Sequence, residues 1–398
     1  MLHWIHPLIA SVASIILHKK TKKMNKNHIV LSGNTAWGMW NFRSALVKHF
    51  LKCGHKVSIS APFDAIYFKK FRDIGCNVYD IPINPKGINP VEDYRLVLKY
   101  KKLFKMIKPD FSITYTIKPN IYASVAAHSL GIKFLPVTTG LGYTFLTKGL
   151  IPAVARQLYK FSFRKAEEVW FLNDDDIATF RKAKLIAKEK VVQLPGEGID
   201  LEHFAYENTL DASSTTKFLL VGRMLKDKGV VEYVEAARIL KIKYPKVHFQ
   251  LLGAIWEGNP AAIKKTQIDK WVEEGIVDYL GQTSDVRKFV KDASCVVLPS
   301  YREGVPCTLM EGAAIGKPLV ATDVAGCRDV VKDGYNGYLC KVKDSRDLAS
   351  KMEKMITDGF EHRLQMGKNG RLLMEERFDV NLIIKQYDDM LKKFLLGL

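Results

Sequence analysis

From residue 28 the chain alternates short runs rich in branched and aromatic residues with longer stretches whose apolar positions recur every three to four residues. That alternation predicts parallel strands joined by helices that cover both faces of a sheet. HIVLSG, KVSISAP, CNVYDIPI, DFSITYTI, KFLPVTTG, EEVWFL and KVVQLPG read as one series of strands, separated by helical stretches such as VEDYRLVLKYKKLFKMI. A second series follows residue 215: TKFLLVGRM, VHFQLLGA, VDYLG, CVVLPS and PLVATDV. Helix-like stretches at 361–376 and 379–397 close the chain. A length of 398 residues exceeds one ordinary core. The expected fold class is therefore α/β, with two doubly wound domains joined near PGEGIDLEHF. Ligands of such sheets bind beyond the carboxyl ends of the strands, which makes the cleft between the domains the expected site.

Composition adds little to this picture. Apolar content is 47%, and no uncharged apolar run reaches the 20 residues a membrane-crossing helix needs, so a soluble or peripheral protein is expected. Cys53, Cys76, Cys295, Cys307, Cys327 and Cys340 form no C-x-x-C pair and no zinc-type spacing with histidine. They read as reduced, buried thiols of a cytoplasmic protein. HWIHPLIASVASIIL carries its positive charges after the apolar run rather than before it, unlike a signal peptide. Residues 1–24 are read either as an interfacial anchor with a basic flank or as an upstream extension of a chain starting at Met24, the second being preferred.

Charge changes the picture more. Residues 1–200 hold 31 Lys and Arg against 14 Asp and Glu, whereas residues 201–398 hold 30 against 28. Nearly all of the net +19 thus sits on the first domain. Such a face suits an anionic membrane surface, a lipid diphosphate or a nucleic acid, or is simply a solvated lysine-rich surface.

Two strand-end loops are suited to phosphate. LSGNTAWGMWNFRSAL follows the first strand and opens a helix, so Gly33, Thr35, Ala36 and Gly38 can bring backbone amides to an anion; an ordinary tight turn explains the same residues. LLVGRMLKDKGVVEYVEAA ends a buried strand with Gly222 and Arg223 and puts Lys228 and Gly229 at a helix start. Arg223 as a planar fork and Lys228 as a point charge suit a diphosphate.

PSYREGVPCTLMEGAAIG, residues 299–316, sets Glu303 and Glu311 eight positions apart among apolar and small neighbours. Pro306 fits the first turn of a helix reaching about Ile315 and stopped by Gly316. Glu303 then lies in the loop facing the cleft, and Glu311 one turn into the helix. Gly304 permits close backbone approach, with the amides of Gly304 and Val305 available to a ligand. Two carboxylates aimed at one elongated ligand accept hydroxyls, fitting a ribose at one end and a hexose at the other. A glycosidase acid and base pair is the alternative, but its substrate has no phosphate for Arg223 and Lys228.

These residues carry a resemblance. REGVPCTLMEGAAIGKPLVATDVAG resembles the E-x7-E signature of the retaining glycosyltransferases of family 4, and VGRMLKDKG is similar to the Arg/Lys diphosphate motif of the same enzymes. The likeness covers most of the chain from about residue 28, including GHKV, PGEGID and the terminal helix. Similar in character are bacterial transferases that extend lipid-linked oligosaccharides for capsule, O-antigen or glycoprotein glycans, which share runs like NTAW, NFR and TGLGYTF.

The resemblance implies a GT-B fold of two Rossmann-like domains: an acceptor domain over 25–198, a nucleotide-sugar domain over 199–376, and a helix over 377–398 that crosses back onto the first. It implies that Glu311 holds the donor ribose, Glu303 contacts the transferred sugar, and Arg223 with Lys228 neutralises the leaving diphosphate. Gly222, Gly304, Val305 and Thr308 complete the donor site in the second domain, and Gly33, Thr35, Ala36 and Trp37 approach it from the first. Uridine is the expected base by analogy with similar capsule and glycan enzymes. Many members of the family carry a histidine before GLG where this chain has Thr139, and His128 is not read as its substitute.

FLNDDDIATF contains the Asp-x-Asp pattern of a metal-diphosphate site, but three aspartates opening a helix favour its exposed amides and dipole, so helix capping and no metal or cofactor are expected. The basic helix LKYKKLFKMIKP offers Lys99, Lys101, Lys102, Lys105 and Lys108 to the headgroups of an inner-leaflet anionic surface that presents a lipid-linked saccharide acceptor. No nucleic-acid motif accompanies the charge, so nucleic acid is not an expected partner. A nucleotide-sugar epimerase of the same fold is the nearest competing function.

Overall fold

The structure, a computed structural model, describes residues 26–84, 89–140, 150–207, 215–256 and 258–397. The expected extension at residues 1–24 lies outside the described residues, as does most of TGLGYTF.

Seven parallel strands form the first sheet: β1 His28–Ser32, β2 Lys56–Ala61, β3 Asn77–Asp80, β4 Phe111–Tyr115, β5 Lys133–Thr138, β6 Val169–Phe171 and β7 Val191–Gln193. Six form the second, also parallel: β8 Lys217–Val221, β9 His248–Leu252, β10 Asp278–Tyr279, β11 Cys295–Leu298, β12 Leu319–Thr322 and β13 Gly337–Cys340. Their orders are β3-β2-β1-β4-β5-β6-β7 and β10-β9-β8-β11-β12-β13. Each order reverses once, between β1 and β4 and between β8 and β11. Connections leave these neighbouring strands toward opposite faces, which opens a crevice at their carboxyl ends.

Helices cover both faces, as the buried strands require. In β1, Ile29 and Leu31 enter one core with Leu46, Val47 and Phe50 of the helix Ala36–Lys52, while Val30 enters another with Tyr100 and Phe104 of the helix Pro90–Ile107. β13 is the one strand absent from the sequence reading. It is four residues long and opens with Gly337, where an added Cβ would stand 2.2 Å from the Leu319 carbonyl oxygen, so glycine is what lets it pair with β12.

The two closing helices are Gly359–Leu373, extended by a π turn to Phe378, and Val380–Leu391, extended by a π turn to Leu396. Between the domains the chain runs past itself. Ile199 and Asp379 form a parallel bridge, with Ile199 N donating to Phe378 O at 2.7 Å and Val380 N to Ile199 O at 3.0 Å. Gly198 has φ of 84°, and a Cβ there would lie 2.8 Å from Val380 Cα. All six cysteines are free thiols; Cys53 and Cys307 are only half-buried, where full burial was expected.

The last helix lies on the first domain. Tyr387 is buried, its hydroxyl 3.1 Å from that of Tyr115 and its ring 4.7 Å from Trp170. Asp388 meets His49 at 2.9 Å, and Lys393 meets Glu168 at 2.6 Å. Tyr387→Ala is expected to lower stability by about 3–5 kcal/mol, as for other buried aromatic truncations, whereas Tyr387→Phe loses only one hydrogen bond and about 1 kcal/mol. Urea denaturation followed by tryptophan fluorescence checks both values.

Candidate active site

At the switch point of the second sheet, β8 ends in Gly222 and Arg223. Gly222 N donates to Leu252 O at 2.9 Å, and the β8 and β9 loops approach so closely that a Cβ on Gly253 would lie 1.9 Å from Gly222 O. Lys226–Lys228 make a 3-10 turn, after which Gly229, in the left-handed region at φ 72°, opens the helix Val230–Lys243. An added Cβ at Gly229 would also meet Pro299 O at 2.1 Å, so this glycine draws the β8 loop against the β11 loop. Arg223 is exposed, its guanidinium 5.7 Å from the Trp256 ring.

The β11 loop runs from Pro299 to Pro306, which is the N-cap of the helix Cys307–Ile315 rather than part of its first turn; Gly316, φ 98°, ends that helix. Glu303 forms an ion pair with Lys228 and accepts a hydrogen bond from Ser300 Oγ at 2.5 Å. Thr308 Oγ1 donates to Val221 O at 3.3 Å, tying the helix start to β8. Val305 is buried, and a Cβ on Gly196 would lie 3.3 Å from it. A Cβ on Gly304 would stand 2.2 Å from Thr139 O of the first domain, and one on Gly326 would stand 2.1 Å from Gly304 O. The loop therefore threads between two backbones at a spacing only glycine allows.

Glu311 lies in the second turn, half-buried, and no described residue bonds its carboxylate. Burial, with a smaller contribution from the negative charge of Asp285, pushes it up to about 7. A half-buried carboxylate without a cation is a ready acceptor for ligand hydroxyls.

On the first domain, Thr35 caps the helix Ala36–Lys52 by accepting from Gly38 N at 3.1 Å. Gly33 and Ala36 are buried, whereas Trp37 is exposed and edge-on to Phe42 at 5.5 Å. A few residues on, Arg43 is buried, its guanidinium 3.8 Å over the Tyr115 ring and paired with Glu197 of the crossing segment. Asn173, rather than an aspartate, caps the helix Asp174–Lys182, accepting from Asp176 N at 2.8 Å. Asp174, Asp175 and Asp176 do fill its first turn, but Asp176 is buried and paired with Arg302. His128 is exposed in the last turn of the helix Ser124–Ser129.

The structure thus joins Lys228 to Glu303 between the β8 and β11 loops and Thr308 to the end of β8; Arg223 lies on the same β8 loop but meets Trp256, and Glu311 is on the helix that leaves the β11 loop. Lys228 faces Glu303 directly, a pairing the motif spacing did not reveal. Trp256, Asn173, Asp176 and Arg302 escaped the sequence reading; an exposed tryptophan in the β9 loop was the only signal available for the first. Lys99, Lys102, Lys105 and Lys108 are exposed and Lys101 half-buried, on the outer side of the 90–107 helix rather than in the crevice. A cavity of about 600 Å³ lies where the helices Leu150–Phe163 and Asp174–Lys182 end, lined by Lys160, Arg164, Arg181, Lys184 and Lys188 over Phe163. Helices of a parallel sheet run opposite to its strands, so this cavity is at the far end from the crevice.

Comparison with known proteins agrees with this fold. The glycosyl transferase 4-like family model matches residues 28–173, and the model described as glycosyl transferases group 1 matches residues 207–373. The chain is 28% identical to the N,N'-diacetylbacillosaminyl-diphospho-undecaprenol alpha-1,3-N-acetylgalactosaminyltransferase of Campylobacter jejuni, over 89% of this chain and 96% of that one. It is 26% identical to the capsular polysaccharide biosynthesis glycosyltransferase CapM of Staphylococcus aureus, over 76% and 82% of the two chains. Among solved structures, Anabaena HepE in complex with UDP-glucose superposes with a TM-score of 0.77 at 18% identity, covering 92% of this chain and all of that one. A glycosyltransferase from Rickettsia africae gives 0.76 at 19%, covering 93% and 99%. At such identities the superpositions establish the fold.

The Glu311 carboxyl gives a pH test. Because the folded protein holds this proton more tightly than the unfolded chain, its contribution to stability is complete below the ordinary value of 4.5 and is lost as pH rises through about 7. Glu311→Gln is therefore expected to raise Tm at pH 8 by about 2–4 °C and to leave it unchanged at pH 4. Scanning calorimetry across that range checks the sign.

Proposed function

The chain is a glycosyltransferase of the GT-B fold, a 4-like domain followed by a group 1 domain, and from this premise we propose that it transfers a hexose or N-acetylhexosamine from a nucleotide-diphosphate sugar to a lipid-linked saccharide with retention at the anomeric carbon. One observation carries the reading: Lys228 and Glu303 form an ion pair between the β8 and β11 loops, Arg223 lies on the same β8 loop, and the Glu311 carboxylate on the next helix is bonded by no described residue. A nucleotide with its base and ribose toward Glu311 would lay its diphosphate along Arg223 and Lys228 and its sugar at Glu303.

As the bond from the anomeric carbon to the β-phosphate oxygen breaks, negative charge grows on the diphosphate and the sugar becomes oxocarbenium-like. Lys228, held by its ion pair with Glu303, and Arg223 at the end of β8 offer the positive charge that stabilises the diphosphate as it leaves. Glu303 offers its carboxylate to the transferred sugar while Ser300 and Lys228 hold it in place. The acceptor oxygen then bonds to the anomeric carbon on the face the diphosphate leaves, and its proton passes to the departing phosphate oxygen. No metal enters this scheme, because the two side chains supply the positive charge.

For the donor, UDP is the nucleotide we propose; HepE was solved with UDP-glucose on the same fold. For the acceptor, the Campylobacter relative is named for a diphospho-undecaprenol substrate. An Escherichia coli relative, 22% identical over 72% of this chain and 77% of its own, is named UDP-Gal:alpha-D-GlcNAc-diphosphoundecaprenol alpha-1,3-galactosyltransferase. The excess positive charge of the first half supports docking on the cytoplasmic face of an anionic membrane. On the 90–107 helix the exposed lysines are interleaved with exposed Tyr94, Leu98 and Met106, an arrangement that suits the headgroup region. Among the described residues no helix is long and apolar enough to cross a membrane.

Thermal shift with UDP, GDP, ADP and their sugar conjugates tests the donor. Stabilisation by UDP is expected to survive EDTA and to vanish in Arg223→Ala. Glu303→Ala should keep the UDP shift while transfer to a polyprenyl-diphosphate saccharide falls by about 10²-fold or more. No shift with any nucleotide would overturn the proposal.

A further inference from the structure

Three consecutive residues of the β11 loop are held from alternate sides of the crevice. Glu303 is bound within its own domain, by Lys228 and Ser300. Its neighbours on both sides are bound by the other domain: Arg302 pairs with Asp176, and Gly304 O accepts from Asn173 Nδ2 at 3.1 Å. Gly304 also rests against the Thr139 carbonyl, at a spacing that admits no side chain.

Asn173 and Asp176 are themselves fixed. Both are buried and stand one helical turn apart at the start of the helix Asp174–Lys182, with Asn173 Oδ1 accepting from Asp176 N and Asn173 Nδ2 also donating to Asp176 Oδ2 at 3.3 Å. A helix of nine residues needs one capping side chain, and Asn173 already serves; Asp174 and Asp175 suffice for the helix dipole. Burying the Asp176 carboxylate as well is costly, and the helix gains nothing from it. Burial pushes its pKa above the usual carboxylate range while the Arg302 guanidinium pulls it back, so the opposing domain supplies the charge that offsets its burial. In an open cleft Asp176 would face water without that partner, and the loop would lose two of its anchors.

We propose that Asn173 and Asp176 are positioning residues for the Glu303 loop: they grip Arg302 and Gly304 only when the first domain closes on the second, and so set the Glu303 carboxylate against the donor sugar in the closed state alone. The inference rests on the transferase reading for the role of Glu303, though the loop anchoring does not. It gives the acceptor domain a part in arranging the donor site, because closing the cleft orders the residue that meets the transferred sugar. Misplacement of a catalytic group by about 1 Å costs on the order of 10²-fold in rate, so two lost anchors should register in kcat rather than in donor binding.

The test uses the full chain, with saturating UDP for hydrogen exchange and a UDP-sugar donor without added UDP for rates. Asn173→Ser keeps a good N-cap but is too short to reach Gly304 O; Asp176→Asn keeps the shape and removes the charge. Arg302→Ala removes the cation that meets Asp176, so it is also paired with Asp176→Asn in a double variant that strands no buried charge, and circular dichroism checks that each variant is folded. Hydrogen–deuterium exchange of the peptide over 299–308 is expected to quicken about tenfold in each, with β11 unchanged. The kcat for transfer should fall about tenfold or more while the donor KM stays within about twofold, and Arg302→Lys should recover part of the loss. Unchanged loop exchange and kcat in folded Asp176→Asn and Arg302→Ala would overturn the proposal, as would a rise in donor KM with kcat intact. A wild-type protein that transfers no sugar sinks the proposed function instead, and the exchange comparison still decides whether the loop is anchored across the cleft.

Discussion

The crevice depends on the place where the chain passes between its two sheets twice in parallel. Ile199 on the outward pass and Phe378 to Val380 on the return are joined by two backbone hydrogen bonds, and Gly198 allows the two segments to touch. Two linker segments bonded to each other tie the domains together along this line more firmly than one would. Beside it lies the buried pair of Arg43 and Glu197, the first from the helix that begins the first domain's crevice, the second from the outward pass. Removing one partner of such a pair strands the other charge in a dry site, at about 3–5 kcal/mol. Arg43 is incompletely satisfied even with its partner, since its Nε bonds no described group. A hinge carrying this much buried charge is fixed in its geometry, and the loops that face each other across the crevice are set by it.

Fold was legible because parallel sheets write themselves plainly: fully buried strands such as CVVL cannot be hidden among amphipathic helices. What escaped were features with no periodicity of their own. β13 has four residues and a glycine where a branched residue would be the usual signal. The π turns that extend the last two helices depend on packing rather than on a local residue pattern.

The candidate site was half legible for a related reason. Glycines, cations and carboxylates at strand ends can be listed from sequence, and of those listed Lys228 and Glu303 meet, while Thr308 bonds the end of β8 and Arg223 meets Trp256. Sequence separation conceals which of them pair. Lys228 and Glu303 are 75 positions apart, and Asp176 and Arg302 are 126 apart. The aspartate run was read through the helix it opens, a local rule that fits Asp174 and Asp175, although Asp175 also stands 3.6 Å from Arg328 of the second domain. It failed for Asp176, whose environment is set by the opposite domain. Local preference explains a residue only until a distant partner makes a larger contribution.

Glu311 shows how such a site stores its binding energy. Its carboxyl is half-buried on a helix whose other neighbours are apolar, and without ligand it is held as an acid near neutrality. A fold selected for stability alone would place an apolar residue or an amide there. Keeping a carboxylate means that the empty protein bears a desolvation cost, which ligand hydroxyls offset when they donate to it. The same logic applies to Asp176, with Arg302 in place of a ligand. In both cases a buried anion lacks part of its stabilisation until something else meets it: a hydrogen-bond donor of a ligand for one, the opposing domain for the other. Donor capture and cleft closure therefore draw on the same physical reserve.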